Sequence, residues 1–269
     1  MLFPPIDPNE RFRERRAATR RRKRRRRGAL IGILLVGVAL AGLGAQYVGV
    51  GPDRPASSNP GGDGALAART SSIRPLPLEI RGVHVTLGLA SLPGKLQEYV
   101  DLKDEGLTTI QLDVKDEDGQ IGFTSRVPRL ATAVGATRPF YEPREAAQLV
   151  HRNGLYLIGR VVVFEDPVLS QGRPELAARR SDGSVWQDAA GLGWTNPYDR
   201  RVWDYNIAIA AAAARSGFDE IMFDYVRFPS DGDVENAVFR NPRGLKKNDA
   251  VPAFFAYAAR KLEPLEPKP

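Results

Sequence analysis

The stretch Phe218 to Pro229, FDEIMFDYVRFP, sets a carboxylate, Asp224, at the end of a short apolar run. Ile221 and Phe223 alternate with Met222 and Asp224, so a strand here sends the first pair to one face and Asp224 to the other. Polar residues close three further apolar runs in the same way: His84 and Thr86; Asp113, Lys115 and Asp116; Arg160 with Glu165 and Asp166; and Arg227 follows Asp224. A carboxylate-rich cup flanked by cations suits cleavage of a glycosidic bond, in which one carboxylate is nucleophile or base and another protonates the leaving oxygen. Asp224, Asp113 and Asp116 are the catalytic candidates, and the cations would keep the first ionised. The plainer reading makes Asp113–Lys115 and Asp224–Arg227 structural ion pairs.

The long segment Glu165 to Thr195 carries Trp186 and Trp194 among Gly and Asp, and flat aromatic faces in an active-end loop can stack on sugar rings or plug the loop onto the core. With Tyr225, they join Arg160, Glu165, Asp166, Arg227 and His84 as candidate substrate contacts. Trp203 falls inside a helical pattern and reads as core.

Other chemistries fail on spacing. Asp116-Glu117-Asp118-Gly119 resembles part of a calcium loop, but aligning its glycine puts Val114 at the first ligand position and Ser125 where a bidentate Glu belongs. Gly88 and Gly94-Lys95 are one residue too far apart for a phosphate-binding loop, and no G-x-S-x-G elbow occurs. The two histidines, His84 and His151, have no second His at ligand spacing, and the chain has no cysteine. The sequence therefore indicates no metal site, no cofactor, no disulfide and no Cys nucleophile.

The elements that must position the cup alternate between short apolar runs and amphipathic stretches, the pattern of parallel β-α units. Strands are expected at Ile80–Thr86, Leu107–Val114, Leu155–Phe164 and Phe218–Val226. The third, LYLIGRVVVF, is apolar throughout except for Arg160, as befits a strand covered on both sides. Helices are expected at Pro93–Glu105, stopped by Gly106; at Pro143–Asn153, stopped by Gly154; after an Asn196 cap as far as Gly217; and at Val251–Leu262. Four units resemble half of an eight-unit barrel, so the expected fold is α/β, a partial (β/α)8 TIM barrel within 79–269. Its open sheet edges would permit self-association, and the expectation is a truncated domain or one completed by pairing.

The N-terminal third reads differently. Residues 1–27 hold 12 of the 39 Lys and Arg but 3 of the 32 Asp and Glu, leaving 27 cations against 29 acids elsewhere. The chain's net charge of +7 thus belongs to a tail, and a nucleic-acid partner is not indicated. Residues 28–50 follow without a charge, and as a helix at about 1.5 Å per residue they exceed the roughly 30 Å hydrocarbon core. The expectation is a single-pass transmembrane helix with the basic end in the cytoplasm and the domain outside. A retained signal anchor fits the length of the apolar run better than a cleaved peptide, although Ala39-Leu40-Ala41 resembles a cleavage site. Residues 51–78, rich in Pro, Gly, Ser and Ala, read as a disordered linker.

Five stretches together resemble a known family: RGVHVT from Arg81, LDVKDEDGQIGF from Leu112, LYLIGRVVVFEDP from Leu155, WTNPYDRRVWDYNIAIA from Trp194 and GFDEIMFDYVRFP from Gly217. Residues 81 to 262 are similar to the first half of the putative glycosyl hydrolase domain of bacterial, often membrane-anchored or secreted, proteins. The resemblance implies a TIM barrel and a glycan substrate. It equates Asp224 with the nucleophilic Asp that amylase-like barrels carry after their fourth strand, and it matches Asp113, Asp116, Arg160, Glu165 and Asp166 to signature positions of unassigned role. In related barrels the acid comes from a later strand, so the acid here would be Asp113, Asp116 or Glu165, or the chain would be a non-catalytic glycan-binding or wall-organising module.

Overall fold

The structure is a computed structural model that describes residues 74–265. The expected tail (1–27), transmembrane helix (28–50) and most of the linker lie outside the described residues. Among the described residues, no helix is long and apolar enough to cross a membrane.

Four parallel strands form one sheet in the order β1 (Gly82–Val85), β2 (Thr109–Lys115), β3 (Tyr156–Val162) and β4 (Glu220–Asp224). Each lies within its expected run, give or take the terminal residues. The connecting helices are α1 (Leu87–Ala90), α2 (Lys95–Asp101), α3 (Arg129–Ala133), α4 (Pro143–Arg152), α5 (Pro167–Gly172), α6 (Arg200–Ser216) and α7 (Lys247–Leu262). The short α1, α3 and α5 escaped the sequence reading because four to six residues carry too little periodicity to register.

Alternation along the strands builds the core. Ile110, Leu112 and Val114 of β2 and Leu157 and Val161 of β3 are buried in the apolar cluster that also takes in Val150 of α4 and Val202 and Ile209 of α6. Between Leu157 and Val161 stands Gly159, where a Cβ would sit 2.8 Å from Phe218 and 3.0 Å from Val114, so only glycine lets these side chains close over β3. Phe223 of β4 meets the edge of Phe254 on α7 at 5.2 Å, and Phe254 in turn packs on Trp203 and Phe164. Trp203 is core, as its place in the helical pattern implied.

Helix α6 corrects an expected cap. Its first turn is capped by Asp199, whose carboxylate accepts from Arg201 N at 2.8 Å, while Asn196 accepts from Tyr198 N and donates to Arg240 O. Gly217 ends the helix with φ 107°, in the left-handed region where a Cβ is penalised.

A bulge in β2 reverses one expectation about charge pairing. Asp113 registers with Arg160 but Lys115 registers with Val161, so Val114 is an extra residue and Asp113 and Lys115 leave the strand in unrelated directions. Lys115 is fully buried behind the sheet. Its Nζ donates to Val162 O and Asn206 Oδ1, both at 2.8 Å, and pairs with Asp166 Oδ2 at 2.7 Å. Asp166 also accepts from Leu169 N and so caps α5. Asp113–Lys115 is therefore not an ion pair; Lys115–Asp166 is, and it ties β2 to the segment after β3. Removing one member of a buried pair strands the other charge, at a cost of about 3–5 kcal/mol. Lys115→Met is expected to lower the thermal midpoint by on the order of 10 °C, and Lys115→Met with Asp166→Asn to recover part of that loss, as read by thermal denaturation.

Candidate functional site

The inward faces of the four strands converge at their C-terminal ends on Arg160. In an otherwise apolar β3 this guanidinium is nearly buried, its side chain 8% exposed. Its Nε donates to Asp224 Oδ2 at 2.8 Å and its Nη1 to Asp113 Oδ1 at 3.0 Å, so one planar cation bridges β4 and β2. His84 of β1 donates from Nε2 to the same Asp113 oxygen at 2.7 Å. A continuous line of polar contacts, His84–Asp113–Arg160–Asp224, thus crosses all four strands.

Burial works against the charge on Arg160. Asp113 and Asp224 outweigh it and hold the guanidinium pKa above its ordinary value. Glu117, from the turn after β2, supplies a third carboxylate 3.5 Å from Nη1. Three carboxylates around one cation leave the mouth with a surplus of negative charge.

The carboxylates differ in access. The Asp113 side chain is 2% exposed, whereas Glu117 is 31% and Asp224 37%. Asp113 is further fixed by Tyr141, whose hydroxyl donates to Asp113 O at 2.9 Å and whose ring meets Phe123 edge-on. Asp224 is held at both oxygens, because Oδ1 accepts from Tyr225 N at 2.7 Å. Tyr225 has φ 52°, uncommon for a residue with a Cβ, and this left-handed turn carries the chain out of β4 while leaving Asp224 facing the mouth.

Asp116 stands apart from the guanidinium. It folds the turn after β2: Oδ1 accepts from Gln120 N at 2.8 Å, and Gly119 N donates to Asp116 O. A Cβ on Gly119, at φ 74°, would fall 2.3 Å from Asp166 Oδ1, so the turn rests directly on the buried ion pair. Burial, and then repulsion from Asp118, Glu117 and Asp113, pushes the Asp116 carboxyl up to about 7.

The model of the family described as "Putative glycosyl hydrolase domain" matches residues 82–267. The chain belongs to that family. The domain is also 36% identical to a solved hypothetical protein from Ruminiclostridium thermocellum, with a TM-score of 0.62 over 67% of this chain and 92% of that one. It is similar at lower levels to a maltogenic α-amylase from Thermotoga neapolitana (15% identity, TM-score 0.44, 70% of this chain and 43% of that one). A third likeness is to an α-L-fucosidase from Paenibacillus thiaminolyticus (14%, TM-score 0.48, 71% and 31%). No curated protein matches the chain. The domain is an α/β fold with a four-stranded parallel sheet.

Of the residues singled out in the sequence, the structure gathers Asp224, Asp113, Arg160 and His84 into one cluster. Several others in this putative glycosyl hydrolase domain lie elsewhere. Asp166 is sealed against Lys115, and Glu165 is buried where its backbone bridges Trp194, so neither side chain lies open to a substrate. Trp186 and Trp194 are 0% and 1% exposed. They are loop plugs rather than stacking platforms, with Trp186 Nε1 donating to Asp233 O and Trp194 Nε1 to Asp188 Oδ2. Arg227 does not pair with Asp224; it is exposed, donates to Ser230 Oγ and lies over the rings of Trp194 and Tyr225 at 5.3 and 5.0 Å. Tyr225, half-buried, keeps its place beside Asp224.

Two residues were missed. Glu117 stands in the acidic run after β2, whose only local pattern is a calcium loop that fails on spacing. Tyr141 carries no local signal, since its contact with β2 spans 28 residues.

The raised Asp116 pKa has a sign that can be tested. Because the folded state holds the proton more tightly than the unfolded chain, whose Asp titrates near 4, the associated stability is complete below about pH 4 and is lost as pH rises to about 7. The loss is at most about 1.4 kcal/mol per pH unit in that window. Asp116→Asn keeps an acceptor for Gln120 N and removes the titration. The variant's denaturant midpoint relative to the parent is expected to be lowest near pH 4 and to climb up to pH 7, then level off.

Proposed function

We propose that the domain is a glycoside hydrolase acting on an extracytoplasmic polysaccharide or cell-envelope glycan through carboxylate chemistry. The observation that carries this reading is the Arg160 bridge, which sets Asp113 and Asp224 side by side at the C-terminal ends of parallel strands, where barrel enzymes keep their chemistry. Asp224, the more exposed of the two, is nucleophile or base. Asp113, too deep to touch a sugar, holds Arg160 and is held by His84; Asp116 shapes the turn beside them. The family membership supports the substrate class. The Arg- and Lys-only block of residues 20–27 ahead of the uncharged 28–50 supports a single-pass anchor with the domain outside the cytoplasm, and the free edges of β1 and β4 among the described residues support self-association.

One observation favours a second reading, a membrane-anchored glycan-binding or wall-organising module without turnover. Both oxygens of Asp224 are already engaged, one by Arg160 and one by Tyr225 N, as in a structural carboxylate.

The two readings part on Asp224→Asn, assayed with the parent on cell-wall and storage polysaccharides for release of reducing ends and for binding. Hydrolysis predicts a loss of at least 10²-fold in rate with binding largely kept. Equal rates in parent and variant would remove Asp224 from the chemistry, and binding without turnover in both would establish the module.

A further inference from the structure

A hydrolase of this kind needs a second carboxyl group that can reach the glycosidic oxygen, and the exposures decide which one that is. Of the three carboxylates on Arg160, Asp113 is closed off at 2% side-chain exposure, and Asp224 and Glu117 reach solvent. Asp116 is not among the carboxylates on Arg160 and folds the turn after β2 through Oδ1. Glu165 and Asp166 are buried.

Glu117 and Asp224 share one guanidinium. Contacts of 3.5 Å and 2.8 Å, joined through two C–N bonds of about 1.33 Å, place their contacting oxygens no more than about 9 Å apart. Carboxyl pairs that cleave glycosides stand about 5–9.5 Å apart. Asp113 and Asp224 hold Arg160 at 3.0 and 2.8 Å, and Glu117 at 3.5 Å holds it most loosely.

We propose, resting on the hydrolase reading above, that Glu117 is the proton donor that partners Asp224. As the C1–O bond of the glycoside breaks and its electron pair passes to the leaving oxygen, the Glu117 carboxyl proton moves to that oxygen and releases an alcohol. Asp224 then accounts for C1 in one of two ways. It bonds C1 and is displaced by water, whose proton returns to Glu117, or it takes the proton of a water that bonds C1 directly. Either way one water is consumed and two hydroxyl groups form. The turn 116–120, held by Asp116 and packed on the Lys115–Asp166 pair, is what presents Glu117 to the mouth.

The test uses the full-length protein and two substrates of one sugar, chosen from the glucoside, galactoside and N-acetylglucosaminide series as the one the parent turns over fastest. One is the 4-methoxyphenyl glycoside, whose leaving group needs a proton, and the other the glycosyl fluoride, whose leaving group scarcely does. Glu117→Gln, with its thermal midpoint measured alongside, is expected to lose about 10²-fold or more on the aryl glycoside and less than tenfold on the fluoride. Asp224→Asn should lose heavily on both. Equal losses on the two substrates in Glu117→Gln, or no loss on either, would overturn the assignment while leaving the hydrolase reading in place. A parent that turns over neither substrate in any series, nor any polysaccharide, would overturn the hydrolase reading and this assignment with it.

Discussion

The site depends on one buried cation. Arg160 sits in the middle of a strand whose other residues are apolar, and a guanidinium there is tolerable only because carboxylates from both neighbouring strands meet it. Its planar fork sets where those carboxylates must lie: one on Nε, one on Nη1, each within hydrogen-bond length. Geometry that fixes Asp113 and Asp224 against a single rigid group also fixes the ends of β2 and β4 relative to β3. His84 extends the constraint to β1 through Asp113. The same contacts that shape the mouth therefore hold four strand ends in register, so function and local stability here are not separable quantities.

Just behind this cluster lies a second buried ion pair with a different purpose. The β2 bulge at Val114 directs Asp113 into the mouth and Lys115 to the rear, where Lys115 meets Asp166, Asn206 and the carbonyls of Val162 and Val163. A regular strand would have left both residues on one face, since they are two positions apart. The bulge divides one short sequence, Asp-Val-Lys, between chemistry at the front and fastening at the back. Gly119 lets the following turn lie directly on Asp166, so the fastening reaches the residues that flank the mouth.

The sequence made legible whatever is governed by local periodicity. The four strands follow from alternation and flanking glycines, the inward turn of Asp224 follows from the period of two in Ile221 to Asp224, and Arg160 announces itself as the one charge in an apolar run. What escaped depends on contacts far apart in the chain. No pattern near Lys115 reveals that one residue of β2 is bulged, and so the pairing with Asp166, 51 positions away, was invisible. Local sequence leaves Trp186 and Trp194 open between sugar-stacking surfaces and loop plugs, and it is the folding back of the segment that buries both indoles. Asn196 and Asp199 are both good caps by type, and the choice was made by Arg240, whose carbonyl takes the Asn196 amide.

The charge arithmetic of the mouth bears on what it could stabilise. By formal charge, Asp113, Asp224 and Glu117 exceed the Arg160 they contact by two. A glycosidic bond breaks through a transition state in which positive charge develops on the sugar ring, and a fixed negative environment lowers the energy of that state relative to the neutral substrate. The same surplus would oppose a reaction that builds negative charge, such as attack on a carbonyl or phosphoryl group. Nε and Nη1 of Arg160 are already engaged by its carboxylates. Its part is to hold the acids in place without cancelling them, and that favours chemistry on an electron-poor carbon over chemistry on an oxyanion.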